Sequence, residues 1–406
     1  MDLSNCRVAD PPISSINWAI VTGEYPLQTG GVSDYTHLVA VGLAQRRDKV
    51  DVWAPSTPEV NALANSVGVH RLPDHFGSKA RRQLSRALAQ LPVDARLLVQ
   101  YVPQAYGRKG MNVPFCFWLW RQRHLRPIDV MFHEVATPWE KRTSLAALRL
   151  NVLALVTRLM AWLVGHAAER IYVSVPAWRK LLKGYVPQGE FAQIEWLPVP
   201  STVPTEVDAE IVTNLRNDLL QRANAAFLLG HFGTFGGQIA AGLRQVLPPT
   251  LKKLPTASAV LIGRGSTKFV EELAAAFPEL RDRMIAAGMI EPAIVSQHLA
   301  ACDCLVQPYV DGISSRRTSA MAGLALGRPI VTTFGFLSEP IWKESKAVRL
   351  VSSFSEMPAA IAEVLAEPQE RARLSHAAAA LYRQRFDIQH TIDALRSGAT
   401  GQVSAA

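Results

Sequence analysis

Cysteine is scarce in this chain of 406 residues. Cys6, Cys116, Cys302 and Cys304 are too few and too irregularly spaced for a disulfide scaffold or a zinc site, so buried thiols in a reducing compartment are expected. The N-terminus MDLSNCRVADPP holds early acids and no apolar run before Asn17, so no secretory signal is expected. A long uncharged run is also missing. The most apolar stretch, Leu148 to Ala168, is cut by Arg149 and Arg158, leaving about ten uncharged residues where a bilayer span needs about 20. None of the glycine turns spells G-x-G-x-x-G or G-x-x-x-x-G-K-[ST], which disfavours a simple dehydrogenase or NTPase. Acids are short of bases, 34 against 43, for a net charge of +9. The excess is one-sided: residues 1–200 carry 23 Lys+Arg and 15 Asp+Glu, residues 201–406 carry 20 and 19. Such a half-sided balance suggests an anionic partner: nucleic acid, a phosphorylated substrate or a membrane surface.

What is present is ample core material. An apolar fraction of 49%, with 9 Trp, 14 Phe and 8 Tyr, excludes disorder, collagen and coiled coil, and the length suits two or three domains. Strand-like runs at Trp18–Thr22, Lys49–Ala54, Gly68–Leu72, Leu97–Tyr101, Ile128–His133 and Arg170–Ser174 alternate with helical stretches, one capped at Ser33 and burying Leu38, Val41 and Leu43. That rhythm predicts a parallel, doubly wound sheet. Ligands of such sheets bind in the loops beyond the carboxyl ends of strands. Three loops qualify here: Gly23 to Gly31, where Gly30 and Gly31 admit a close ligand and a helix start offers amides to an anion; Gln100 to Gln104, with Tyr101; and His133-Glu134.

Pro198, Pro200 and Pro204 mark a linker, beyond which the pattern restarts. Ala226–Phe232 enters the turn at Gly233, Ser258–Ile262 enters Gly263-Arg-Gly265, and Met289-Ile290 reads as a short strand. A helix at Ile294–Ala301, a strand at Cys304–Pro308, a helix at Thr318–Leu326 and a strand at Pro329–Thr333 follow. Helices near Met357–Leu365 and Glu370–Arg385 close the chain. The fold class expected is α/β, with two Rossmann-like doubly wound parallel-sheet domains facing a central cleft.

From Asn17 to Phe386 the chain resembles retaining nucleotide-sugar glycosyltransferases of the GT-B fold, in particular the large family-four group. The residues that carry the likeness are Tyr25-Pro26 with TGGVSDYTHLVAVGLAQRRDKVDVWAP, then VSQHLAACDCLVQPY and DGISSRRTSAMAGLALGRPIVTT. The resemblance implies an acceptor-binding domain at 1–200, a donor-binding domain at 201–375, and a segment at 376–406 whose helix packs back on the first domain before a tail. It also shows departures. Asp311 and Ser319 stand where the family has two glutamates, the second of which holds the donor ribose. The turn at Gly233 lacks the family's Arg and Lys. Arg316 and Arg317, ahead of the Thr318 helix, are the expected substitutes on the diphosphate, since cations are out of place at a helix start unless an anion joins them. Glu339 resembles a family acid near the donor sugar and His133 the histidine that faces it, while Glu134 beside His133 reads either as a neutral strand-end carboxylate or as the group that orients it. Tyr101 and Gln104 are the acceptor-side candidates.

The resemblance implies a hexosyltransferase-like enzyme that moves a sugar from a nucleoside-diphosphate sugar to a glycan or lipid-linked acceptor with retention, in bacterial cell-surface polysaccharide or glycolipid biosynthesis. The nucleotide sugar is a co-substrate and no further cofactor is implied. No Asp-x-Asp motif appears, which accords with metal-independent transfer. Two alternatives stay open: a nucleotide-sugar epimerase of the same fold, and a degenerate glycosyltransferase-like binding protein. The expected location is cytoplasmic. Gly107-Arg108-Lys109, the aromatic run Phe115 to Trp120, and Arg121, Arg123 and Arg126 suit peripheral attachment to the inner face of an anionic membrane, or core burial on a helix. Nucleic acid is the weaker partner, because no recognised binding motif accompanies the charge.

Overall fold

The computed structural model describes residues 15–28, 30–56, 66–107, 110–141, 144–191 and 193–400; Cys6 and the Arg108-Lys109 pair lie outside them. The described chain forms two compact units. One comprises the residues up to Ile171 with Gly184–Gln193 and those from Ile392, the other Tyr172–Lys183 and Ile194–Thr391.

The first half runs β1 (Asn17–Thr22), α1 (Gly31–Gln45), β2 (Lys49–Pro55), β3 (Gly68–Leu72), α2 (Ser78–Leu88), β4 (Arg96–Tyr101), α3 (Val113–Gln122), β5 (Ile128–Phe132), α4 (Leu145–Gly165), β6 (Arg170–Val173), α5 (Ala177–Leu182), α6 (Gln188–Phe191) and β7 (Glu195–Trp196). Its strands lie in the order β3-β2-β1-β4-β5-β6-β7. The second half runs α7 (Ala209–Arg222), β8 (Phe227–Phe232), α8 (Gly237–Lys253), β9 (Ala257–Ile262), α9 (Ser266–Ala276), β10 (Met284–Gly288), α10 (Pro292–Ala301), β11 (Cys304–Gln307), α11 (Thr318–Ala325), β12 (Ile330–Thr333), α12 (Ile341–Glu344), β13 (Arg349–Val351), α13 (Met357–Ala366), α14 (Pro368–Leu381) and α15 (Ile388–Thr400). Its order is β10-β9-β8-β11-β12-β13, and the strand pairs are parallel. The expected α/β architecture of two doubly wound parallel sheets is therefore present.

Strands covered on both faces explain why they read as continuous apolar runs. In β9, Val260 and Ile262 face one core with Leu228, Leu305, Met321 and Tyr382, while Ala257, Ala259 and Leu261 face another with Leu243, Leu273 and Ile361. Three local expectations are corrected. The strand placed at Met289-Ile290 lies earlier, as β10, and ends where Gly288 takes φ +71. Helix α1 starts at Gly31, and Ser33 is inside its first turn because the Glu24 carboxylate caps the helix in its place. The buried face of α1 is consequently Tyr35, Thr36, Val39, Ala40 and Leu43; Leu38 and Val41 are only partly covered.

Helix α4 is 21 residues long and apolar enough to span a bilayer by length and composition, a feature that Arg149 and Arg158 masked in the sequence. It instead packs a small-residue face of Ala147, Ala154, Ala161 and Gly165 within the first unit. At the far end of the chain, Ile392 fills the space above Gly42 and the Arg396 guanidinium pairs with Asp48.

Candidate functional site

In each sheet the strand order reverses once, between β1 and β4 and between β8 and β11. At such a switch point the two flanking loops turn to opposite faces and leave a crevice, which is where open α/β sheets bind ligands.

At the second switch point, β8 exits through His231 and Phe232 into Gly233, whose φ is +150. The Gly233 carbonyl sits where a Cβ on Gly263 would be, so the turns after β8 and β9 close on each other through bare backbone. The α8 cap residue, Gly236, has no side chain to offer the first-turn amides. Opposite, β11 exits through Gln307 into Tyr309 and a loop that ends at α11. Asp311 gathers that loop: one carboxylate oxygen accepts from Arg316 Nη2 at 2.8 Å and the other from Arg317 Nη2. The Arg317 guanidinium lies 4.7 Å from the centre of the Tyr309 ring and that of Arg316 lies 5.8 Å from Trp178. The Nε of each arginine has no partner among the described residues. Ser319, one residue into α11, shares a 2.7 Å hydrogen bond with the Tyr309 hydroxyl.

Glu339, the acid expected near the donor sugar, finds its partners within the chain. It is 5% exposed, and its oxygens accept from the Ser315 amide at 3.0 Å, the Ser315 hydroxyl at 2.5 Å and Trp342 Nε1 at 2.6 Å. Burial pushes its pKa up against those donors. The residue thus anchors the loop immediately before Arg316 and Arg317 from behind. Thr318 is the first residue of α11.

Sequence reasoning passed over His231, although a histidine at a strand exit before a glycine turn is the same signal as His133. It is 1% exposed. Its Nδ1 is 2.8 Å from the Val306 carbonyl, an acceptor, so Nδ1 carries the proton and Nε2 is a bare acceptor. Burial lowers its pKa to about 4, so the ring is neutral. Nε2 has no partner among the described residues. A Cβ at Gly233 would lie 3.7 Å from Nε2 and 3.9 Å from Ser319 Oγ, so both polar atoms border the turn.

The first switch point is built differently. Glu24, in the β1 exit, accepts from the Val32 and Ser33 amides at 3.1 Å each. The helix-start amides after Gly30 and Gly31, expected to meet a ligand anion, are thus engaged by the protein's own carboxylate. His133 donates from Nε2 to Gln100 Oε1 at 2.8 Å and meets the Tyr35 ring edge-on at 4.9 Å. Its pKa falls to about 3 through burial, so it is a neutral hydrogen-bonding group and a poor proton acceptor at neutral pH. Glu134 follows it and is partly buried. Tyr101, expected to touch an acceptor, is 1% exposed, with the Tyr106 ring stacked on it and the Phe132 ring meeting it edge-on in the core. Gln104 is exposed in the short turn after β4.

No protein-family model matches the chain, and no curated protein matches it by sequence. Solved structures do resemble it. Anabaena Alr3699/HepE in complex with UDP superposes at a TM-score of 0.68 with 16% identity, covering 95% of this chain and 100% of that one. Sucrose-phosphate synthase from Thermosynechococcus elongatus gives 0.69 at 15%, covering 96% and 100%. WaaG, a glycosyltransferase involved in lipopolysaccharide biosynthesis, gives 0.65 at 15%, covering 95% and 100%. The likeness extends over nearly the whole of each chain, and the fold it establishes is the two-domain GT-B arrangement of glycosyltransferases.

Proposed function

We propose that the chain transfers a sugar from a nucleoside-diphosphate sugar to an acceptor hydroxyl with retention of configuration, and that the donor lies at the switch point between β8 and β11. The observation that carries this reading is the pair Arg316 and Arg317, held ahead of α11 by Asp311 with an unpaired Nε on each guanidinium. A diphosphate supplies the acceptors that these groups lack, and the α11 start adds helix-end amides. Next to them, neutral His231 offers an acceptor and Ser319 a hydroxyl, the chemistry that ribose or sugar hydroxyls need. HepE, of the same fold, has been crystallised with UDP, with UDP and glucose, and with UDP-glucose, which supports a uridine nucleotide as the first donor to try.

In this mechanism negative charge grows on the leaving diphosphate, and the preorganised guanidinium groups stabilise it more in the transition state than in the ground state. That work needs no divalent cation, so activity should survive EDTA. His133, held neutral by burial, is suited to hydrogen bonding rather than to proton transfer. A role in cell-surface polysaccharide or glycolipid synthesis follows from this reading, with a glycan or lipid-linked acceptor. A second reading, a binding protein without turnover, is favoured by one observation: Ser319 and Asp311 replace both motif glutamates, and Asp311 is taken up by the two arginines.

The experiment is calorimetric titration with UDP, GDP and their sugar conjugates, followed by assay of nucleoside diphosphate release with and without glycan and lipid acceptors. Binding with acceptor-dependent release supports transfer. Binding without release selects the second reading, epimer formation without acceptor selects an epimerase, and no binding of any nucleotide at millimolar concentration refutes the site.

A further inference from the structure

Helix α4 buries one face and leaves another bare. Leu145, Leu148, Val152, Leu155, Leu159 and Trp162 are spaced alternately by three and four residues, which puts them on one stripe, and their exposure runs from 40% at Trp162 to 82% at Leu145. From end to end the stripe measures about 25 Å at the rise of an α-helix. A single exposed leucine is ordinary, whereas a continuous row of this length marks a surface that is covered by something.

The surface continues beyond the stripe. Trp162 shares a depression with Trp120, Arg123 and His124 at the end of α3. His124 also borders a second depression, with Phe117, Arg121 and Leu125 of the α3 segment and Arg81 of α2. Trp118 Nε1 donates to Ser85 Oγ at 2.9 Å and so fastens α3 to α2. The three helices carry Lys79, Arg81, Arg82, Arg86, Arg121, Arg149 and Arg158, and none of them contains an Asp or Glu. The carboxylate at the rim, Glu169, is already paired with Arg96 at 2.9 Å.

That charge pattern decides between occupants. Two copies of this chain meeting stripe to stripe would bring the cations of these acid-free helices against one another. An anionic bilayer answers both features, because leucine and tryptophan side chains enter the interfacial region while the arginines meet lipid headgroups. We propose that α2, α3 and α4 form a docking surface for an anionic membrane, with α4 lying in the interface plane. The surface stands apart from the transferase reading; taken with that reading, on which this step rests, it makes the acceptor a membrane-borne molecule.

The test is co-sedimentation with vesicles of phosphatidylcholine alone and of phosphatidylcholine with about 30% phosphatidylglycerol, at low and high salt, with UDP binding measured on every variant. Wild type should bind the anionic vesicles at low salt and be released at high salt. Removing charge in R82A/R86A/R121A should cost about fivefold per residue, about a hundredfold together. L148N/L155N/L159N should lose binding while keeping its helical signal, since these side chains are exposed. Absence of vesicle binding by wild type, binding indifferent to salt and lipid charge, or binding by either variant as tight as that of wild type would overturn the proposal. A concentration-dependent dimer in sedimentation velocity that the leucine variant abolishes would also overturn it and assign the stripe to a second copy. UDP binding retained in a chain that ignores vesicles would sink the docking surface alone, and loss of UDP binding in wild type would sink the donor site alone.

Discussion

Replacing Arg316 and Arg317 by alanine, singly, together and with Asp311→Asn, interrogates the donor site through charge alone. The trio Asp311, Arg316 and Arg317 carries a net charge of +1, with both carboxylate oxygens engaged. A charge-assisted hydrogen bond is worth about 1.5–3 kcal/mol. Each guanidinium is about a quarter exposed, so the lower end applies: about 1.5 kcal/mol, or tenfold in Kd for UDP, for either single alanine. In the double variant Asp311 loses both cations and its bare carboxylate faces the diphosphate. The loss should then exceed the hundredfold that two independent bonds predict. Adding Asp311→Asn to the double variant removes the repulsion and should recover part of the affinity, about tenfold, although no favourable contact is restored. Calorimetry with UDP measures all five proteins, and UDP-sugar release measures the same series in the transition state. Wild-type affinity in the double variant, or no recovery on adding Asp311→Asn, would refute the assignment of these arginines to the phosphates.

Three further outcomes follow from buried polar groups. His133 and His231 have pKa values lowered from 6.5 to about 3 and about 4. Below pH 6.5 the unfolded chain binds protons at these rings while the folded chain does not, so stability should fall as pH falls through that window, about 1.4 kcal/mol per pH unit for each histidine. Urea denaturation between pH 7 and pH 4.5 should therefore show a steeper slope for wild type than for H133Q/H231Q, and equal slopes would contradict the buried neutral state. Glu24→Ala uncovers two amides at the start of α1 and should cost about 1 kcal/mol of stability, read by urea midpoint; an unchanged midpoint would show that the cap contributes nothing. Glu339→Ala leaves the Ser315 amide and Trp342 Nε1 buried without an acceptor. It should lower stability by about 2 kcal/mol and weaken UDP binding through the displaced arginine loop; a stable variant with full affinity would remove Glu339 from its anchoring role.

The sheets were legible because strands buried on both faces leave unbroken apolar runs, and the runs at Trp18–Thr22, Leu97–Tyr101 and Ser258–Ile262 coincide closely with β1, β4 and β9. β10 was misplaced because Met284–Gly288 holds two alanines and a glycine, poor strand formers that only pairing with β9 orders. The polar strand exits were legible as positions but not as contacts. Nothing in the sequence distance between Glu24 and Ser33 says that a carboxylate will curl back on the helix start, and nothing in Glu339 says that its partners are Ser315 and Trp342. Both facts depend on loop paths set by close glycine contacts, such as Gly312 against the Gly335 amide. Tyr101 illustrates the other limit: every residue of β4 is buried, so a place at the strand exit does not bring its side chain to a ligand.

The contrast between the two switch points carries the functional argument further than any one residue. Equivalent positions in two sheets of the same topology, each a helix start beside a strand exit, differ in what has been put there. After β1 the chain supplies its own anion, Glu24, to the α1 amides, and the neighbouring groups His133 and Gln100 are neutral and paired with each other. An incoming anion would meet a carboxylate there, whereas a hydroxyl would meet hydrogen-bonding partners without a charge penalty. After β8 and β11 the chain supplies two arginines to the one acid that pairs with them, a helix α8 whose cap has no side chain, and a bare imidazole acceptor. These charges favour the second switch point over the first for the proposed diphosphate. The one-sided basicity of the sequence therefore lies away from the donor chemistry. Seven of its cations stand on α2, α3 and α4, helices without acids, and belong to the proposed membrane surface, while the two arginines before α11 belong to the proposed nucleotide site.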